Sequence, residues 1–218
     1  MSFTIQLNPN DVAKVKSMLW GLYDVVPKVL SRAINETVGN VKTNASSEIR
    51  AVITARKKDV DATFKTTKAT VTDLSAVFQS TGKPLPLISY STRETKAGVS
   101  VQVRKDKPFK LIPGVFIETV KSEKQKEIGS EGHKGVFWRE WHGTKTGMAV
   151  RQFLRGGKPI VYAKLPKKYR LPIKERFGPR IPDYLGDTGP IMGNVLKKAD
   201  DFMHKNINDQ LNYELSKL

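Results

Sequence analysis

Apolar residues recur at Val26, Leu30, Ala33 with Ile34, Val38, Val41, Ala45, Ile49 and Val52. The mean step is close to the 3.6-residue turn of an α-helix. The spacing predicts one helix of roughly 30 residues from about Asp24, some 45 Å long at about 1.5 Å per residue. Its stripe is a core face, with Gly39 a weak point that costs on the order of 1 kcal/mol relative to alanine. Arg56-Lys57-Lys58 follow it, charges that suit the negative end of a helix dipole. A shorter helix precedes it. Asn8 is placed to cap it, Pro9 to fill its first position, and it runs to about Trp20. Asp59 to Phe64 predicts one more short helix. A last helix begins around Asp187 to Pro190, with a stripe at Ile191, Val195, Ala199, Phe202 with Met203, Ile207, Leu211 and Leu215.

Between these helices the period changes. Leu87–Ser91 and Val99–Val103 flank Glu94–Gly98 and read as a β-hairpin, the second arm alternating cleanly. Ala69-Thr70-Val71, Val115-Phe116-Ile117 and Val136-Phe137-Trp138 are further strand candidates. The stretch 121–134 is charged, contains glycine and has no period. Residues 141–158 hold Gly143, Gly147, Gly156 and Gly157. In "RLPIKERFGPRIPDY", residues 170–184, apolar side chains fall at no helical or strand period among three prolines, Pro172, Pro179 and Pro182. It reads as an arm in neither helix nor sheet.

The sum is an α+β fold: an antiparallel sheet of about four to five strands flanked by a long N-terminal helix and a C-terminal helix. These helices are expected on the same sheet face or on each other. The reading gives one domain, 1–218. It comprises a helical part (1–64), a β-sheet (65–140, with the loop 121–134), a basic irregular arm (141–186) and a C-terminal helix (187–218).

Charge adds a direction. The 218 residues carry a formal +17, unevenly spread. Lys134 to Arg180 holds 13 Lys or Arg against two acids, whereas Asp187 to Leu218 has four Lys against five acids. Such segregation predicts that the middle-to-late region faces an anion, either nucleic acid or acidic protein surface. The basic series from Arg151 to Arg180 has no helical stripe, so it does not read as a major-groove helix; phosphate contact without base reading suits it better. Trp138 and Trp141 bracket Arg139 and Glu140; core packing, a subunit interface and base stacking are the roles such a pair serves, in that order.

The absence of cysteine excludes disulfides, thiolate metal sites and thiol nucleophiles. No run of about 18 apolar residues predicts a membrane span, and the N-terminal residues lack the layout of a secretion signal. The phosphate loop, the serine elbow and the zinc-protease helix motif are missing. His133 and His142 lie near Glu131 and Glu140, but in stretches rich in lysine and glycine, which disfavours a metal. His204 falls on the polar side of the last helix. No enzyme activity and no cofactor are expected.

"RLPIKERFGPRIPDYLG", residues 170–186, resembles the L-P-I-[KR]-x-x-x-G-P-x-[IV]-P signature of the phage minor tail protein Z family, the tail completion proteins. "KGVFWR" (134–139) is similar to the strand that precedes this signature. "ITARKKDVDATFKTTKAT" (53–70) resembles the family's basic stretch between its first long helix and its sheet, and "NVLKKADDFMHKNINDQLNYEL" its final helix. The likeness spans most of the chain from about residue 25. It departs from the family at 140–168, which is longer and more basic, and at Arg180, where a small polar residue is common.

The resemblance implies a structural virion protein rather than an enzyme. Such a protein forms an oligomeric ring, six-fold by analogy, at the head-proximal end of a phage tail, assembled in the host cytoplasm. Its partners would be its own copies, tail terminator or tail tube proteins, head–tail connector proteins and the phage DNA end, with no membrane. Leu171, Pro172, Ile173, Phe177, Gly178, Pro179, Ile181 and Pro182 would then be the arm's interface. The prolines would stiffen it, and Gly178 would let it turn. Arg151, Arg155, Lys167, Lys168, Arg170, Lys174, Arg176 and Arg180 would meet DNA or acidic partners. The competing expectation is a free, sequence-nonspecific nucleic-acid-binding protein, whose affinity would fall steeply with salt.

Overall fold

A computed structural model describes residues 2–20, 24–121, 131–139, 173–186 and 190–217. The chain is mixed helix and strand, α+β as the pattern predicts. It divides into two compact units where the sequence reading draws one domain. The first unit joins residues 1–52, 56–84 and 179–218; the second joins 53–55 and 85–178.

In the first unit, α1 spans Pro9–Met18, α2 Val26–Val52, α3 Lys57–Asp61, α4 the single turn Pro182–Leu185 and α5 Pro190–Leu215. The Asn8 side chain caps α1, accepting from the Asn10 N–H at 3.0 Å, with Pro9 at the first helical position. The stripe of α2 is buried from Val26 through Ile49, and Gly39 has open space around its missing side chain.

Helix α5 lies antiparallel against α2, so the two long helices do pack on each other. Arg32 meets Glu214 at 2.6 Å, Gln210 donates to Glu36 at 2.7 Å, and Lys198 donates to Glu48 at 2.7 Å. Ile191, Val195, Met203, Ile207 and Leu211 fill the seam, whereas Leu215 is exposed. One buried polar pair crosses it. Asn206 Nδ2 donates to Thr37 Oγ1 at 3.0 Å, while that hydroxyl donates to the Ala33 carbonyl at 2.8 Å.

Strands β1 (Ser2–Ile5), β2 (Phe64–Thr67) and β3 (Ala76–Ser80) form an antiparallel sheet in the order β1-β3-β2. Ala76, Phe78 and Ser80 of the central strand are buried in alternation, and the Phe78 ring lies 5.0 Å from that of Phe64, tilted by 48°. The expected strand 69–71 is instead a loop. Asn35 of α2 takes the place of a strand neighbour: its amide accepts from the Ala69 N–H at 2.8 Å and donates to the Ala69 carbonyl at 3.0 Å.

The second unit starts from Ile53–Ala55. Ile53 bridges to Arg104, the Thr54 N–H donates to the Val103 carbonyl at 3.0 Å, and the Thr54 hydroxyl donates to the Gln102 carbonyl. Strands β5 (Ser91–Thr95), β6 (Gly98–Gln102) and β7 (Lys110–Pro113) form one sheet; β8 (Val115–Val120), β9 (His133–Arg139) and β10 (Ile173–Glu175) form another, in the order β10-β9-β8. The short strand β4 (Pro84–Pro86) pairs with β11 (Phe177–Arg180).

The predicted hairpin exists as β5–β6, but its first arm starts at Ser91. Leu87–Ser89 is a 3-10 turn, closed by the Tyr90 N–H on the Leu87 carbonyl at 3.1 Å. The single sheet of four to five strands is thus not what forms: the described strands separate into three three-stranded sheets and one pair. Gly114, with φ +74°, is the single residue that joins β7 to β8, in a conformation that side-chain-bearing residues rarely adopt.

Two outcomes follow for stability. Thr37→Val should destabilise by about 1–3 kcal/mol in denaturant titration, because it strands the Asn206 amide in the seam; adding Asn206→Leu should recover most of the loss. The second concerns acid. The hydrogen bond from Lys198 holds the Glu48 carboxyl below its usual value, against a smaller opposing effect of burial. For Asp61, burial raises the carboxyl, but hydrogen bonds from Lys57 and Ser46 outweigh it and the net shift is downward. A depressed folded value means stability present above the unfolded value, about 4.5 for Glu48, and lost as pH falls through the folded one. Glu48→Gln should cost under about 1 kcal/mol at pH 7 and should flatten the decline of melting temperature as pH falls below about 4.5.

Candidate interaction site

The arm is more ordered than its sequence suggests. Residues 173–180, expected in neither helix nor sheet, form β10 and β11, and Pro182–Leu185 makes the turn α4. The pattern misleads because these strands are only three and four residues long, too short for a period to show. Strand β10 pairs antiparallel with β9: Ile173 opposite Arg139, Lys174 opposite Trp138, Glu175 opposite Phe137. The next backbone unit is fixed on both sides. The Arg176 N–H donates to the Val136 carbonyl at 2.8 Å, and its carbonyl accepts from the Leu87 N–H at 3.0 Å.

The side chains follow from that register. The Arg176 guanidinium lies 3.9 Å from the centre of the half-buried Trp138 ring, a cation–π contact. Lys174, exposed, sits directly across from the same tryptophan. Arg139 is buried, 5.0 Å from the Phe116 ring centre. His133 Nε2 and Glu175 Oε1 are 2.8 Å apart, with the His133 ring edge-on to Phe137. The carboxylate that His133 meets is therefore 42 residues away in sequence, beyond the reach of local spacing.

Gly178 works differently from the sequence reading. Its backbone is not among those with positive φ, so it does not serve as a left-handed turn. A Cβ there would stand 2.6 Å from Cε2 of the buried Tyr90 ring. Glycine is required for close approach.

In the first unit, Ile181 is 0% exposed and Leu185 is buried, so Ile181 is spent on its own chain and is not available to a partner. Pro179 and Pro182 are half-buried. Among the described residues of the arm, Phe177 is the exposed large apolar side chain, 50% accessible. Arg180 is exposed but pairs with Asp183 at 3.1 Å, so part of its charge is already met. Leu171, Pro172, Arg151, Arg155, Lys167, Lys168 and Arg170 lie outside the described residues, as do Glu140, Trp141 and His142. Most of the loop expected at 121–134 does too, although β9 begins within it, at His133.

Of the proposed contacts, the structure thus brings Lys174 and Arg176 together around Trp138, and it divides the apolar anchors between buried Ile181 and exposed Phe177. Local sequence carries no signal for Glu175 or Tyr90, because each meets a residue far away along the chain, His133 and Gly178 respectively. Among the described residues no three His, Asp or Glu side chains converge as a metal site needs, and no helix is long and apolar enough to cross a membrane. Comparison with protein-family models, with curated proteins and with solved structures gives no match to this chain.

Gly178→Ala tests the geometry directly. It should destabilise by about 1–3 kcal/mol in chemical denaturation, since the buried Tyr90 ring has nowhere to retreat. The same change at Gly39, on the open face of α2, should stabilise by about 0.5–1 kcal/mol.

Proposed function

We propose that this chain is a structural tail completion protein of a tailed phage or prophage. It forms an oligomeric ring at the head-proximal end of the tail and supports head–tail joining and positioning of the genome end. Its partners are other copies of itself, tail terminator or tube proteins and connector proteins. The reading rests on the signature at 170–186, and one structural observation carries it further. The described part of that signature has its backbone fixed by strand pairing and by the Gly178–Tyr90 contact, yet it leaves Phe177 half exposed and the cations Lys174 and Arg176 at the surface. A rigid segment presenting an aromatic and two positive charges loses little entropy on docking. Aromatic and arginine side chains are the types enriched at the centre of interfaces.

The alternative is a basic protein that binds nucleic acid without reading sequence. The Trp138–Arg176 stack with Lys174 alongside is the feature that favours it, since aromatic and cationic groups together hold unpaired bases and phosphates.

Two substitutions separate packing from assembly. Ile181→Asp should unfold the protein or cost about 3–5 kcal/mol, because it buries a carboxylate. Phe177→Asp should leave the circular dichroism spectrum and melting temperature nearly unchanged. It should also abolish rings seen by electron microscopy and the rescue of tail joining in a lysate. A wild-type chain that stays monomeric, is missing from virions and binds single-stranded DNA with steep salt dependence would support the alternative.

A further inference from the structure

A cavity of about 200 Å³ opens in the first unit between β1 and α5. Thr4, Ile5 and Gln6 line one side, Leu196 and Asp200 the other, and Asp11 of α1 stands at the end. Successive side chains of a strand point to opposite faces. Thr4 and Ile5 are the last two residues of β1 and Gln6 follows it, so a cavity that touches both Thr4 and Ile5 meets the strand at its edge, near its C-terminal end. That edge is open among the described residues: β1 pairs with β3 and with no other strand. The cavity is thus a groove between a free sheet edge and a helix.

Its chemistry has two parts. Ile5 and Met203 are buried and make an apolar floor, while Leu196 is exposed at the rim. Asp11 and Asp200 supply carboxylates, and the His204 ring stands between them, 3.4 Å from Asp11 and 3.8 Å from Asp200. No Lys or Arg is among the lining residues. In a chain of net charge +17 this is a groove of the opposite sign to its surroundings.

We propose that this groove binds an extended segment of another polypeptide, which adds to β1 as a fourth strand. Its backbone takes up the open hydrogen-bonding groups of the edge, which supplies affinity without sequence preference. Selectivity comes from the side chains that face α5. A Lys or Arg meets Asp11 and Asp200, and an aliphatic side chain two residues away lies on Ile5 and Leu196, because positions i and i+2 of a strand share a face. The ligand is therefore a basic, alternating, β-prone peptide. The proposal stands apart from the ring: it concerns other elements and survives a failure of the assembly reading.

The full chain, isotopically labelled, can be titrated with three nine-residue peptides of alternating Val and Thr. One carries Lys at the centre, one carries Glu there, and one is the Lys peptide with alternate backbone amides N-methylated. The Lys peptide should shift the amide resonances of residues 2–6 and 196–203 and bind at least about tenfold tighter than the Glu peptide. The N-methylated peptide should not bind, since it cannot pair with the edge. Asp200→Lys, at an exposed position that leaves the fold intact by circular dichroism, should reverse the charge preference. Equal binding of the Lys and Glu peptides, unimpaired binding after N-methylation, or shifts confined to other surfaces would each overturn the proposal. So would amides of β1 that are already slow to exchange in the free protein, because the edge would then be covered by the chain itself.

Discussion

The antiparallel seam between α2 and α5 is the contact on which the first unit depends. It joins helices of 27 and 26 residues from distant parts of the chain; Arg32 and Glu214, at one end of it, are 182 positions apart. Closing so long a loop costs conformational entropy that only an extended apolar interface offsets. Apolar stripes alone fix that interface poorly, because a slip of one helical turn brings similar side chains together again. The buried Thr37–Asn206 hydrogen bond removes the ambiguity: any slip leaves an amide without a partner inside the seam. The flanking pairs at Glu36, Glu48 and Glu214 agree with the same register. They are exposed enough to add little energy, so alignment is their larger effect.

In the arm, ordering of the backbone and freedom of the side chains are separate matters. Strand pairing with β9 and the hydrogen bonds of Arg176 to Val136 and Leu87 hold the main chain. Over Ile173–Arg176 the side chains alternate, so Ile173 and Glu175 are partly covered while Lys174 and Arg176 remain at the surface. Trp138 then orients the Arg176 guanidinium instead of leaving it to sample solvent. The groove beside β1 follows a related logic. There it is the backbone of the host strand that has no second strand partner among the described residues, and in the proposed complex the carboxylates of Asp11 and Asp200 select the sign of what pairs with it.

Helices α1, α2 and α5 were legible to within a few residues, because each carries its own evidence: a cap at Asn8, a proline at position 9, and, in the long pair, stripes that repeat over about seven turns; the short helix expected at Asp59–Phe64 forms instead at Lys57–Asp61, and Phe64 opens β2. The long strands β8 and β9 and the second arm of the hairpin were legible for the same reason. What failed was short or non-local. Strands β1, β2, β3 and β10 have three to five residues, over which alternation is indistinguishable from chance. Ala69 has the flanks of a strand residue but bonds to a side chain, Asn35, some 34 positions earlier. Of the candidate site, the residue types were visible and their division was not. Nothing in "RFGPRIP" distinguishes Phe177, half exposed, from Ile181, fully enclosed.

The sequence by itself determined the class of the fold, the extent of its long helices, the concentration of positive charge and the absence of thiol chemistry. These depend on local periodicity or on sums, and neither needs a third dimension. The tertiary structure alone decided which strands share a sheet, which helix meets α2, why residue 178 must be glycine, and where a carboxylate stands beside His133. Each of those is a contact between groups far apart along the chain. Sequence spacing carries no distance for such groups, and only packing supplies one.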